Sequence, residues 1–226
     1  MPVFRPFGPD HWLVLGLVGG VSAALVAGAR GLRCWREERI VRLGFAVTLG
    51  GNAVISWGVG LSQGQARLPC QLCDLAVLVM AGALLTRHRV VGELAICWGL
   101  AGSLQAVLTP DLMTGFPTYP WISFFVGHSA VVISAVYLLA QGRMRLSAGS
   151  VWRVWAMSNV YALVAGLLNW CLGENFGYLA RKPAHPSLLD WLGPWPWYVV
   201  GIEVVALGLF GLCVALNRVI DRWATS

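Results

Sequence analysis

Two thiols and a carboxylate stand together where an apolar run begins, in Leu68-Pro69-Cys70-Gln71-Leu72-Cys73-Asp74. A cysteine is a strong nucleophile only as thiolate, so its chemistry depends on what takes the proton. His128 suits that task. It lies inside another apolar run, nine residues past Tyr119, which on a helix is roughly 13 Å further along the axis. A neutral imidazole accepts a thiol proton near neutral pH, and a helix N-terminus favours the anion left behind. Pro69 suits a first helical position, which would set Cys73 near the positive end of its helix. Asp74 opposes the thiolate if it is ionised and close. Ionisable residues inside membrane spans are costly and mark functional sites, so Cys73 and His128 are the expected nucleophile and base.

The surrounding elements are those of a membrane protein. Hydrophobic residues make up 58% of the 226, charged residues only 12%, and the mean hydropathy is +0.69. Soluble domains carry about 25% charged residues. Apolar stretches long enough to cross a ~30 Å hydrocarbon core recur. They predict seven spans, at about 12–29, 40–62, 69–86, 91–108, 119–141, 151–172 and 196–217. The first is too long, and too sparsely preceded by positive charge, for a cleaved signal peptide. The expected fold is all-α, a seven-transmembrane helix bundle forming one domain over 1–226. No soluble domain, linker, low-complexity tract or convincing internal repeat is visible, which disfavours an inverted-repeat transporter.

Arginine sets the expected orientation. Arg5, Arg67, Arg181 and Lys182 fall on one side of the alternating spans. The other side holds Arg30, Arg33, Arg36, Arg39, Arg42, Arg87, Arg89, Arg143, Arg145, Arg153, Arg218 and Arg222, so the split is twelve to four. The positive-inside rule then puts the N-terminus outside and the C-terminus in the cytoplasm. The net charge of +6 reads as this rim facing anionic head groups rather than as a nucleic-acid surface.

With that orientation the informative polar groups gather in the outer half. Cys70, Cys73 and Asp74 open span three, and Gln105 and Asp111 end span four. Asn169 and Cys171 end span six, and Glu203 lies about seven residues into span seven. The outer segment 173–196 is stiffened by prolines and is expected to be ordered. Its Trp195, Trp197 and Tyr198 suit the interface, where rings lie at head-group level. Arg181 and Lys182 are adjacent cations on an otherwise Arg-poor side and suit a lipid phosphate.

Five strings follow one another along the chain. They are Leu68-Pro-x-x-Leu72-Cys73-Asp74-Leu75, then Trp98-Gly-Leu…Leu104-Gln105-Ala-x-Leu-Thr109-Pro110-Asp111-Leu112, then Phe116-Pro117…Phe124-Phe125-x-x-His128. Tyr178-Leu-x-Arg181-Lys182-Pro183 and Leu192-Gly193-Pro194-Trp195-Pro196-Trp197-Tyr198 complete the set. Together they resemble the transmembrane protein 164 (YwaF-like) family of integral-membrane acyltransferases. The animal member of that family looks like a cysteine-dependent enzyme that moves fatty acyl chains between phospholipids. The resemblance implies a Cys73 thioester, with His128 as base, in a protein acting on phospholipid and lysophospholipid within the bilayer. Gln105, Asn169 and backbone N–H groups at the start of span three are candidate donors to the oxyanion; Asp74, Asp111 and Glu203 are supporting polar groups. Arg181, Lys182, Trp195, Trp197 and Tyr198 are candidate substrate contacts. No cofactor or metal is expected. The expected location is a bacterial inner membrane, with the site towards the extracytoplasmic side. The chain departs from the family pattern at Gln71, where His often stands.

Two other readings stay open. Cys70-x-x-Cys73 facing an oxidising compartment is also a redox pair, and Pro-Cys-x-Leu-Cys at the outer start of a helix is similar to quinone-linked membrane oxidases. Those enzymes relay electrons through a second outer pair, whereas here Cys171 is the only other outer cysteine; Cys34, Cys97 and Cys213 fall towards the inner half. A non-catalytic lipid or ion transporter would use Glu203 and Asp74 as its intramembrane charges.

Overall fold

A computed structural model describes residues 2–34, 38–64, 68–183 and 187–225, Cys34 by its backbone alone. Arg36 and Arg67, which enter the charge asymmetry, lie outside the described residues. The helices are α1 (Pro9–Ala27), α2 (Ala29–Cys34), α3 (Glu38–Ser62), α4 (Leu72–Thr86), α5 (Arg89–Trp98), α6 (Leu104–Leu108), α7 (Tyr119–Gln141), α8 (Ala148–Leu172) and α9 (Trp197–Thr225). A π-helical turn (Gly99–Ser103) joins α5 to α6, so these run as one column from Arg89 to Leu108. Two short 3-10 turns, Phe176–Tyr178 and Leu188–Leu192, shape the connection between α8 and α9.

Six columns are long and apolar enough to cross a membrane, and α4 is a shorter apolar helix of 15 residues. The architecture is that of an all-α membrane protein. The outward faces agree with this. Leu13 and Leu17 on α1, Val54 and Ile55 on α3, Leu163 and Leu167 on α8, and Val204 and Leu212 on α9 are all exposed. In water that surface would cost about 25 cal/mol per Å², whereas in lipid it costs nothing. The apolar windows of α7 and of the α5–α6 column are 61% and 56% buried, against 11–17% for α1, α3, α8 and α9. The bundle therefore has two central columns and a lipid-facing ring.

Helix ends follow local chemistry. Pro120 suits the first turn of α7, where its missing N–H is no loss. Gly142 and Gly173 end α7 and α8 in the left-handed conformation. Connections alternate between two ends of the bundle. At one end the buried Glu38 carboxylate collects Arg42, Arg87 and Arg143, and accepts from Gln141 Nε2 at 3.1 Å. Nearby, Arg33 pairs with Asp221 at 2.5 Å. Glu93, also buried, holds Arg153 at 2.7 Å and Arg89 at 3.1 Å. At the opposite end Val3 bridges to Thr114, and the Tyr178 hydroxyl donates to Asp111 Oδ2 at 3.1 Å. Burial and then the Asp111 carboxylate push that phenol up to about 12.

Candidate active site

The site is built where α3, α4 and α7 pack against one another. Gln71 precedes α4 in an extended conformation, and its N–H donates to Asp74 Oδ2 at 3.3 Å. Asp74 thus serves the helix start as a reciprocal cap. The helix begins at Leu72 rather than at Pro69, because this cap fixes the first turn three residues later. Cys73 is the second helical residue, where backbone N–H groups have no carbonyl partner within the helix. Cys70 lies before the helix, and its carbonyl accepts from the Tyr161 hydroxyl at 3.1 Å.

At 15 residues α4 is about 22 Å long, short of the ~30 Å core. Chain from elsewhere closes over its start. Gln71 Nε2 donates to the Asn175 carbonyl at 3.4 Å, and the Gly177 N–H donates to Gln71 Oε1 at 3.0 Å. Gly177 has φ 65°, and a Cβ there would come within 2.9 Å of the Tyr161 hydroxyl, so only glycine fits this clasp. Gln71 thus pins the 174–177 loop to the mouth of α4.

A cavity of about 470 Å³ opens between the three helices and this loop. Cys73 and Asp74 line it from α4, His128 and Phe124 from α7, Asn52, Ser56 and Trp57 from α3, and Glu174 from the loop. A second cavity of about 410 Å³ shares Ser56, Gly60, Ser123 and Phe124 with the first and extends to Tyr119. Cys73 is an exposed free thiol; Cys70 is also free, yet absent from the cavity wall. The helix shortfall explains how Cys73, in the first turn of α4, and His128, nine residues into α7, reach one cavity.

The tautomer of His128 follows from its partners. Nδ1 lies 2.8 Å from the Phe124 carbonyl oxygen, which can only accept, so Nδ1 carries the proton. Nε2 is then a bare lone pair, and it has no hydrogen-bond partner. The ring stacks on Phe124 with centroids 4.1 Å apart, which fixes its plane. A buried nitrogen without a partner is unfavourable unless something else is to fill the vacancy. This arrangement suits a base waiting for a proton.

Residues 6–214 match the profile of the TMEM164 family. The chain belongs to the TMEM164 family. The match runs from before α1 into α9, further than the motifs between Leu68 and Tyr198. Family and architecture together make it an integral membrane protein. Searches of curated proteins and of solved structures give no match.

The other residues singled out by sequence lie off this wall. Asn169 is buried and holds the Phe176 backbone, with Oδ1 accepting at 2.6 Å and Nδ2 donating at 3.0 Å. Glu203 accepts from Asn159 Nδ2 at 2.9 Å between α8 and α9. Asp111 takes the Tyr178 hydroxyl, and Gln105 lies on α6. Lys182 pairs with Asp190 at 3.5 Å and rests over the Tyr198 ring. Arg181 is exposed in the same loop. Trp195 Nε1 donates to the Leu179 carbonyl and the buried Tyr198 hydroxyl to that of Tyr178, while Trp197 is exposed. Lys182, Trp195 and Tyr198 thus make contacts within the Pro/Trp-rich segment 173–196 and α9, of which residues 184–186 lie outside the described residues. Among the described residues no His, Cys, Asp and Glu side chains cluster as metal ligands.

Hydropathy and spacing do not single out Asn52, Ser56, Trp57, Ser123 or Glu174, which the cavity brings into play. Asn52 carries a usable signal, since an amide in the middle of a 25-residue apolar helix is expensive in lipid and needs a reason.

Proposed function

We propose that this protein is a membrane-embedded acyltransferase that carries the acyl group on Cys73, with His128 as its base and phospholipids as donor and acceptor. The observation that carries the reading is that His128, whose buried Nε2 has no partner, and Cys73 line one cavity. His128 takes the thiol proton, and sulfur attacks an ester carbonyl of the donor lipid. The carbonyl–oxygen bond breaks as the carbon–sulfur bond forms, and His128 returns the proton to the departing lysolipid oxygen. An incoming lysolipid hydroxyl then gives its proton to His128 and attacks the thioester, which restores the thiol. Two adjoining cavities supply room for an acyl chain and an acceptor side by side. The twelve-to-four distribution of cations in sequence supports an extracytoplasmic site through the positive-inside rule.

The test uses the purified chain in nanodiscs holding a donor phospholipid and a labelled lysophospholipid. The expected result is labelled diacyl product, together with an acyl adduct on the Cys73 peptide that hydroxylamine removes. C73A abolishes both, and C70A retains most of the activity. A thiol–disulfide oxidoreductase would lose its function equally in the two variants, so equal loss together with quinone-dependent thiol oxidation would overturn the acyl-transfer assignment.

A further inference from the structure

A chain of hydrogen bonds links α7 and α3 beside the two cavities. The Tyr119 hydroxyl donates to Ser56 Oγ at 3.2 Å, Ser56 Oγ lies 2.5 Å from Ser123 Oγ, and Ser123 Oγ donates to Asn52 Oδ1 at 3.4 Å. Either hydroxyl can donate in the short Ser56–Ser123 contact; with Ser56 as its donor, the Ser123 proton is left for Asn52 and the links polarise one another.

The carboxamide is fixed the right way round. Asn52 Nδ2 donates to the Ser123 backbone carbonyl at 3.2 Å, and a carbonyl cannot donate, so nitrogen is the atom that faces it. An amide nitrogen has two hydrogens, and the second has no such partner. Nδ2 also lies 2.8 Å from where a Cβ on Gly127 would stand. The absence of a side chain at 127 is thus what lets the amide reach this position, one residue before His128. Gly127, His128, Asn52 and Cys73 all line the same cavity.

We propose that Asn52 donates its second amide hydrogen to the oxyanion that forms when Cys73 attacks an acyl ester. This inference rests on the acyl-transfer reading. Oxyanion stabilisation needs a donor held rigidly where negative charge develops, in surroundings poor in water. Asn52 meets that need. Its acceptor oxygen is engaged by Ser123, its donor side is half used, and α3 and Gly127 fix its place. The serines of the chain are less suited, since their protons are already committed to one another and to Asn52.

Two reactions of Cys73 separate this role from a structural one. Acylation by p-nitrophenyl octanoate passes through an oxyanion, forming a carbon–sulfur bond as p-nitrophenolate leaves. Alkylation by iodoacetamide displaces iodide and forms no oxyanion. Both are followed on the full chain in nanodiscs for wild type, N52A, N52D and G127A. Acylation is expected to fall about 10²–10³-fold in N52A and N52D, while alkylation changes by less than about threefold. G127A, whose methyl group displaces Nδ2, should show the same split. N52D keeps the side-chain volume and decides the matter should N52A fail to fold. Parallel loss of both reactions, or acylation unchanged in N52D, would overturn the role of Asn52 while leaving acyl transfer standing. A wild-type chain that alkylates at Cys73 but never acylates would overturn both.

Discussion

His128→Gln is the substitution that tests the site most directly. It removes the proposed base and leaves a side chain of similar reach. Nδ1 is committed to the Phe124 carbonyl, so only Nε2 can move a proton, and the cavity wall holds no second imidazole among the described residues. The Asp74 carboxylate is engaged with the Gln71 N–H as a helix cap. General-base catalysis of this kind contributes about 10²–10⁴-fold, or roughly 3–5 kcal/mol of barrier. The assay is single-turnover formation of the Cys73 acyl-enzyme in nanodiscs, repeated across neutral and mildly alkaline pH. The variant should be slower by that factor at neutral pH. Its rate should climb about tenfold per pH unit for as long as the thiol stays protonated, because free thiolate becomes its only route. Wild type should level off once the imidazole is neutral. A variant within about threefold of wild type, or one with the wild-type pH profile, would refute His128 as the base.

Three further outcomes are expected. Glu38→Ala removes the buried partner of Arg42, Arg87 and Arg143; the loss in an unfolding assay should be at or below the ~3–5 kcal/mol typical of breaking a buried pair, because Arg87 and Arg143 are partly exposed. Tyr178, pushed up to about 12, ionises more readily when unfolded, so it contributes stability below about pH 10 that is lost as pH rises towards 12. Tyr178→Phe should therefore flatten Tm against pH in that window, and a curve unchanged in slope would count against the burial of the phenol and its Asp111 contact. Arg181→Gln should weaken handling of a phosphate-bearing lipid more than turnover of a truncated ester without phosphate; equal effects would assign Arg181 to the structure of its loop.

Hydropathy makes the columns legible, because each long apolar run has one stable answer in lipid. The start of α4 is less legible. An apolar run beginning at Pro69 looks continuous, and the step to Leu72 depends on whether Asp74 reaches back to Gln71, a local contact that competes with a proline signal. Cys73 and His128 stand out because reactive groups are rare in apolar spans. Choosing among Gln105, Asn169 and Glu203 requires knowing which face of each helix meets the cavity, and one sequence lacks that information for a helix that lipid and protein both surround. Glu38 shows a similar limit. It reads as part of a charged rim, while its partners lie 49 and 105 residues away in sequence, at Arg87 and Arg143.

The shortness of α4 also acts as a ruler. A 15-residue helix is about 8 Å shorter than a ~30 Å core, and such a mismatch is met by thinning the bilayer around it or by bringing lipid out of its usual level. If the difference falls at the Cys73 end, a lipid ester meets the sulfur only by descending from the edge of the hydrocarbon layer. Reaching the thiol then costs the lipid its ordinary packing before any contact recognises a head group. One extra helical turn inserted between Cys73 and the C-terminal end of α4 would shift the thiol by about 5.4 Å along the axis, with every side chain of the site retained.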